Sequence, residues 1–223
     1  MKIVYRQISD MYIRPNTSDD LVIDEAIDYK SLFIDSKESD VFMDIGANIA
    51  SVSRLAIKQQ PNIKIIAFEP ECDNYEVAKK NISKNAFLIK KAISDTNGYI
   101  KLYKSKSSNK GKTSTVLRDC NLNSDLKIVD CLNFVDVLKQ YKPTLIKIDI
   151  EGGEYSLKLD NLPEEVKGLA IEIHKIEDDW KKMKEIYEIL SNQFTYELGD
   201  IPKDDKWYKD RETFLIIFLR NVK

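Results

Sequence analysis

The sequence predicts an α/β fold: a doubly wound, mostly parallel sheet closed by a C-terminal antiparallel hairpin. Three observations carry that prediction. Residues 41–70 read as strand, tight turn, helix, strand, with an acid closing each strand, Asp44 and Glu69. Beyond them the pattern continues as helix and strand, an inserted excursion, and a further β-α-β unit. The last two strand-like runs, 194–198 and 213–219, have no helical pattern between them, so they are expected to pair antiparallel.

Taken in order, residues 1–40 form an N-terminal extension expected to pack on a core domain of residues 41–223. The extension either covers the first turn and shapes the substrate mouth or decorates an edge. Residues 21–29 (LVIDEAIDY) suit a strand or the start of a helix equally well. A strand at 41–45 leads through Gly46-Ala47-Asn48-Ile49-Ala50 into a helix at 51–59, and 63–68 is the second strand. Residues 71–85 set Tyr75, Ala78 and Ile82 on one helical face, with Asp73 or Asn74 as cap. Residues 87–93 (FLIKKAI) read as a third strand and 99–103 (YIKLY) as a strand exposed on one side. The stretch 104–114 (KSKSSNKGKTS) is either a solvated loop or a lid whose lysines meet an anionic group. A short strand at 127–129 and a helix at 134–141, broken by Pro143, precede the apolar strands 144–150 (TLIKIDI) and 169–173 (LAIEI). Residues 180–191 make an amphipathic helix through Met183, Ile186, Tyr187 and Leu190.

Composition narrows the function classes. A chain of 223 residues with 43% hydrophobic and 32% charged residues suits one well-solvated α/β domain. A net charge of −2 gives no global pull toward phosphate backbones, so nucleic acid is not the expected partner. No apolar run is long enough to span a bilayer, and the N-terminus lacks a signal peptide's apolar core. Cys72, Cys120 and Cys131 have neither metal-type spacing nor an even count. Reduced thiols, a cytoplasmic location and no bound metal are therefore expected.

The chemistry gathers at predicted strand ends. Asp44, Glu69, Ser94, Asp149, Glu151 and His174 all fall at or just past one, where ligands of such sheets bind. An acid about 20 residues after the first turn, Glu69 here, can accept from both hydroxyls of a ribose. The turn holds one glycine where a dinucleotide fingerprint needs three, so a pyrophosphate would be crowded and a nucleoside without phosphate fits better.

The blocks DIGANIA, AFEP, KAISD followed by a glycine, and LIKIDIEGGE, in this order and spacing, resemble the FkbM-type family of S-adenosylmethionine-dependent methyltransferases. The resemblance runs from Val41 to His174, with Ala50 standing where the family usually has glycine and Gly153 where it usually has alanine. It implies a class I methyltransferase-like, seven-stranded sheet with S-adenosylmethionine as cofactor. In that frame Asp44, Gly46 and Asn48 would serve the methionine and ribose end, and Glu69 would hold the ribose hydroxyls. Ala92, Ile93 and Ser94 would flank the adenine, while Asp149 and Glu151 face the methionine end and the acceptor. His174 and Asp149 compete for the role of general base, and Glu151 could instead cap the helix that follows. Asp149-Ile150-Glu151-Gly152 stands where N-methyltransferases acting on exocyclic amines often carry an Asn/Asp-Pro-Pro-Tyr block, which favours oxygen as acceptor. The implied acceptor is a small molecule or a glycan, and the active form a monomer or homodimer. An RNA methyltransferase using the 104–112 lysines, a dinucleotide oxidoreductase and a non-catalytic nucleoside-binding protein are the competing readings.

Overall fold

Residues 1–40 pack onto the chain that follows them: the Asn81 side chain holds the Tyr12 backbone, and Phe33 packs on Phe42. A computed structural model describes residues 1–83, 86–104, 113–114, 125–176, 180–201 and 213–220. Strands β1 (Val4–Arg6) and β2 (Met11–Ile13) pair as an antiparallel hairpin. Helix α1 (Asp19–Glu25) and a 3-10 helix over Ala26–Phe33 follow. The buried Asp19 carboxylate takes the Arg14 backbone N–H at 2.7 Å and its guanidinium at 2.6 Å, which fastens the hairpin to α1. Residues 21–29 are thus helical, and the 3-10 segment buries Tyr29, Leu32 and Phe33. Phe33 meets Phe42 edge-on at a centroid distance of 4.9 Å, so this segment completes the core on one face of the sheet.

The central sheet begins with β3 (Val41–Ile45), α2 (Ser51–Gln59), β4 (Lys64–Phe68), α3 (Cys72–Asn81) and β5 (Phe87–Ile89). An excursion follows: β6 (Ala92–Ser94), β7 (Gly98–Lys104), β8 (Thr113–Ser114) and β9 (Asp125–Asn133), which form a second sheet in the order β6-β9-β7-β8. The chain returns through α4 (Phe134–Tyr141), β10 (Leu145–Ile148), a 3-10 turn over Gly153–Ser156, β11 (Gly168–His174), α5 (Trp180–Ser191), β12 (Tyr196–Gly199) and β13 (Thr213–Leu219). The seven-stranded order is β12-β13-β11-β10-β3-β4-β5, with β13 antiparallel to both of its neighbours. The strand order reverses at the parallel pair β3 and β10, so the carboxyl ends of these two strands open the crevice where such sheets bind ligands.

Three predicted elements need correction. The apolar run 87–93 turns a corner: the Lys91 N–H bonds the Ile89 carbonyl at 3.0 Å, and β6 leaves the central sheet to pair with β9. The segment predicted as 127–129 extends to nine residues, and strand β7 pairs with most of its length. Helix α3 is capped by Glu71, whose carboxylate accepts from the N–H groups of Asp73 at 2.7 Å and Asn74 at 3.0 Å, and not by Asp73 or Asn74. The 104–114 stretch lies outside the described residues except for the backbone at Lys104, Thr113 and Ser114. Among the described residues no helix is long and apolar enough to cross a membrane.

Candidate active site

The turn after β3 is built on left-handed backbone. Gly46 (φ +78°), Asn48 (φ 51°) and Ala50 (φ 65°) all adopt positive φ. A Cβ at Gly46 would sit 1.8 Å from the Asp149 carbonyl oxygen, so the absence of a side chain lets the ends of β3 and β10 touch. The N–H groups of Gly46 and Ala47 bond the Phe68 carbonyl at 3.0 and 2.9 Å, which fixes the turn against the end of β4.

Glu69 sits beside that turn and is 4% exposed. Its carboxylate accepts the N–H of Asn48 and that of Glu71, each at 2.8 Å. Burial outweighs these donors and pushes its pKa up to about 7. Gly46, Asn48, Glu69, Ala92, Ile93 and Asp149 line one cleft. Two residues expected there do not line it. Asp44 is fully buried behind the turn, where it accepts from the Ser53 hydroxyl at 2.6 Å. Ser94 is buried and donates to Asp95 at 3.0 Å.

Behind the turn, Lys147 joins the pieces. Its buried ammonium donates to the Gly46 carbonyl at 2.6 Å and lies 3.2 Å from Asp149 Oδ2 and 3.6 Å from Asp44 Oδ1. Burial acts to lower its pKa, but the charges of Asp149, Asp44 and Glu172 carry it to about 12. The ammonium also stands 5.8 Å from the centre of the Tyr29 ring.

A second, larger cavity also has Asp149 in its lining. Tyr29, Lys147, Glu172 and His174 line its floor, and Glu25, Asp28 and Asp200 lie around it. The Tyr29 hydroxyl donates to Glu172 Oε1. Burial and the Asp149 charge raise the Glu172 pKa. His174 is 2% exposed, and Glu154 Oε1 lies 3.2 Å from its Nδ1 and accepts its backbone N–H at 2.7 Å. Burial acts to lower the His174 pKa, and the Glu154 hydrogen bond with the charges of Glu154, Glu151 and Asp149 overrides it, raising the value to about 9. Glu151, at φ 53°, points its carboxylate to within 3.5 Å of His174 Nε2, and the following 3-10 turn starts from Gly152 without a side-chain cap. Asn48, Asp149 and Glu151 line both cavities.

Sequence reasoning missed Lys147, Glu172, Glu154 and Tyr29. For Lys147 and Glu172 a signal existed: each is the one charged residue inside an otherwise apolar strand core, in TLIKI and LAIEI. Nothing local marks Tyr29.

A profile of the methyltransferase FkbM domain matches residues 44–198. The chain belongs to the FkbM methyltransferase family. Methyltransferase FkbM from Methylobacillus flagellatus KT shares the fold at a TM-score of 0.50 and 18% identity, over 85% of this chain and 47% of that one. This FkbM chain therefore spans about half the length of that protein. Precorrin-6y C5,15-methyltransferase from Geobacter metallireducens GS-15 is similar over 94% of this chain and 93% of that one, at a TM-score of 0.49 and 12% identity. M. capricolum TrmK, solved with S-adenosyl-homocysteine, is similar over 87% of this chain and 68% of that one, at a TM-score of 0.46 and 14% identity. No curated protein matches the chain. The expected architecture, a mostly parallel sheet of seven strands with a terminal antiparallel pair, is the one observed.

Proposed function

We propose that this FkbM methyltransferase uses S-adenosylmethionine to methylate a hydroxyl oxygen of a small molecule or glycan. The supporting observation is the meeting of two cavities at Asn48, Asp149 and Glu151, one with a buried carboxylate for a ribose and one lined by acids. Two further features fit such a cofactor. Gly46 lines the first cavity at positive φ, where the ends of β3 and β10 meet. The buried oxygens Asn48 Oδ1 and Asn74 Oδ1 have no hydrogen-bond partner among the described residues. Glu69 would hold the ribose hydroxyls, with Gly46 and Asn48 along the ribose and methionine portion and Ala92 and Ile93 beside the adenine. Ser94 would contribute through its backbone, and Asp44 through the turn and Lys147 that it braces.

When bound, S-adenosylmethionine supplies a sulfonium methyl group for in-line displacement. The chain's own part is alignment and proton removal. Asp149 and Glu151, shared by both cavities, would take the acceptor's proton. His174, with its pKa raised to about 9, is protonated at neutral pH and would then orient these carboxylates instead of serving as base. The acids around the second cavity repel phosphate, which weighs against an RNA acceptor. Cys72 and Cys131 are free thiols, consistent with a cytoplasmic location.

Calorimetry with S-adenosylmethionine and NAD, followed by transfer of labelled methyl to a panel of polyhydroxylated and amine acceptors, tests the reading. Binding of the methyl donor alone and label on oxygen are expected. Indifference to the donor, or label on nitrogen, would overturn it.

A further inference from the structure

The floor of the second cavity carries a pattern that proton transfer alone does not require. Three side chains are each anchored through one polar atom and turn the other toward a common point. Asp149 gives Oδ2 to Lys147 at 3.2 Å, and its Oδ1 lies 3.8 Å from His174 Nε2. Glu172 accepts the Tyr29 hydroxyl on Oε1, and its Oε2 lies 3.7 Å from the same nitrogen. His174 has Nδ1 against Glu154, and among the described residues its Nε2 reaches no carboxylate at a normal hydrogen-bonding distance. His174 is 2% exposed, and its Nε2 faces the carboxylates of Glu151, Glu172 and Asp149 at 3.5, 3.7 and 3.8 Å.

We propose that Asp149, Glu172 and His174 hold one divalent cation at the floor of this cavity. One ligand atom from each can be chosen so that all lie within 4.8 Å of one another. That is slightly wider than the ~3–4 Å spacing around an octahedral ion with bonds of about 2.1 Å, so modest side-chain movement closes the site. The carboxylate–histidine contact from Glu154 is the usual support of a metal-bound imidazole, fixing ring and tautomer. Tyr29 and Lys147 play the same part for the two carboxylates. One imidazole with two carboxylates selects manganese or zinc over calcium. Glu151 and Glu154 add negative charge nearby, set against the Lys147 ammonium, so a dication also relieves crowding of like charge. Loading displaces the proton from His174. Sequence spacing gives no hint of this site, since its ligands come from the ends of two different strands.

The site stands on these side chains alone. Its role rests on the reading of the cavity as the acceptor pocket. There the ion would bind and orient an acceptor oxygen, and the hydroxyl's proton would pass to Glu151 as the O–H bond is weakened.

The test uses tag-free full-length chain, stripped with chelator and titrated with Mn²⁺ under electron paramagnetic resonance. One saturable ion per chain is expected, with echo modulation from a coordinated imidazole nitrogen. Because the chain has a single histidine, that signal reports His174. Glu172→Gln should weaken binding at least tenfold, whereas Glu76→Gln, on the exposed face of α3 outside both cavities, should leave it unchanged. Absence of saturable Mn²⁺ binding, or binding without the nitrogen signal, overturns the proposal even if Glu172→Gln fails to fold. Calorimetry with S-adenosylmethionine on the same sample separates the two readings: donor binding without Mn²⁺ sinks only the cation site, and Mn²⁺ binding without the donor sinks only the methyltransferase reading.

Discussion

The Asn48 backbone N–H donates to the Glu69 carboxylate at 2.8 Å, coupling the turn after the first core strand to the end of the next. In the proposed reading, ribose binding and the shape of the turn share this one carboxylate, so its protonation would affect both.

The Glu69 pKa rises from 4.5 to about 7 through burial. Two donating ribose hydroxyls favour the ionised form, so affinity for S-adenosylmethionine should increase as pH rises through 7, by at most about tenfold per unit. For stability the sign is reversed. Between pH 4.5 and about 7 the unfolded carboxyl is ionised while the folded one keeps its proton, so this group's contribution falls by roughly 3 kcal/mol across that window and stays low above it. Glu69→Gln should flatten both profiles, raise the melting temperature at pH 8 more than at pH 5, and weaken cofactor binding. Calorimetry and thermal unfolding at the two pH values check this.

Gly46→Ala should be severely destabilising. The new methyl group would have to share space with the Asp149 carbonyl at a positive φ, which parts β3 from β10. Left-handed strain of about 1–2 kcal/mol adds to overpacking of about 1–3 kcal/mol. Urea unfolding is the measurement, and a loss below about 1 kcal/mol would contradict so close an approach of the two strand ends.

Ala50 presents the opposite case. It holds φ 65° and is fully buried. In Ala50→Gly, release of about 1–2 kcal/mol of left-handed strain opposes loss of about 0.8 kcal/mol of methyl burial. Stability should stay within about 1 kcal/mol of wild type. Ala56→Gly, equally buried but inside α2, loses the same methyl and about 1 kcal/mol of helix propensity, so it should cost about 2 kcal/mol. Denaturation of the two variants side by side distinguishes the positions.

The contrast between these alanines shows what a sequence can and cannot convey. Helices α2, α4 and α5 are legible because their apolar spacing and the Pro143 stop are local features. The acids at strand ends are legible because charge rarely closes a buried strand without purpose. The corner at Lys91 is not, because an apolar run has the same periodicity whether straight or bent. Nor is the contact of Tyr29 with Glu172, which joins residues 143 apart in sequence. Strand-end position alone would turn Asp44 into the crevice, but the alternation of side chains along β3 turns it toward Ser53 and Lys147.

Lys147 supplies the most discriminating stability test. Its side chain is 3% exposed, and its ammonium lies between Asp44, itself fully buried, and Asp149. Were it a packed stem with an incidental charge, Lys147→Met would be nearly neutral. Because it neutralises buried carboxylate, removing it should leave uncompensated charge and cost about 3–5 kcal/mol. Asp44→Asn in the same chain removes part of that charge, so the double variant should be more stable than the sum of the two single losses predicts, by about 1 kcal/mol or more. Urea unfolding of the four proteins gives the coupling directly. Simple additivity would mean that Asp44 and Lys147 are neighbours without being partners.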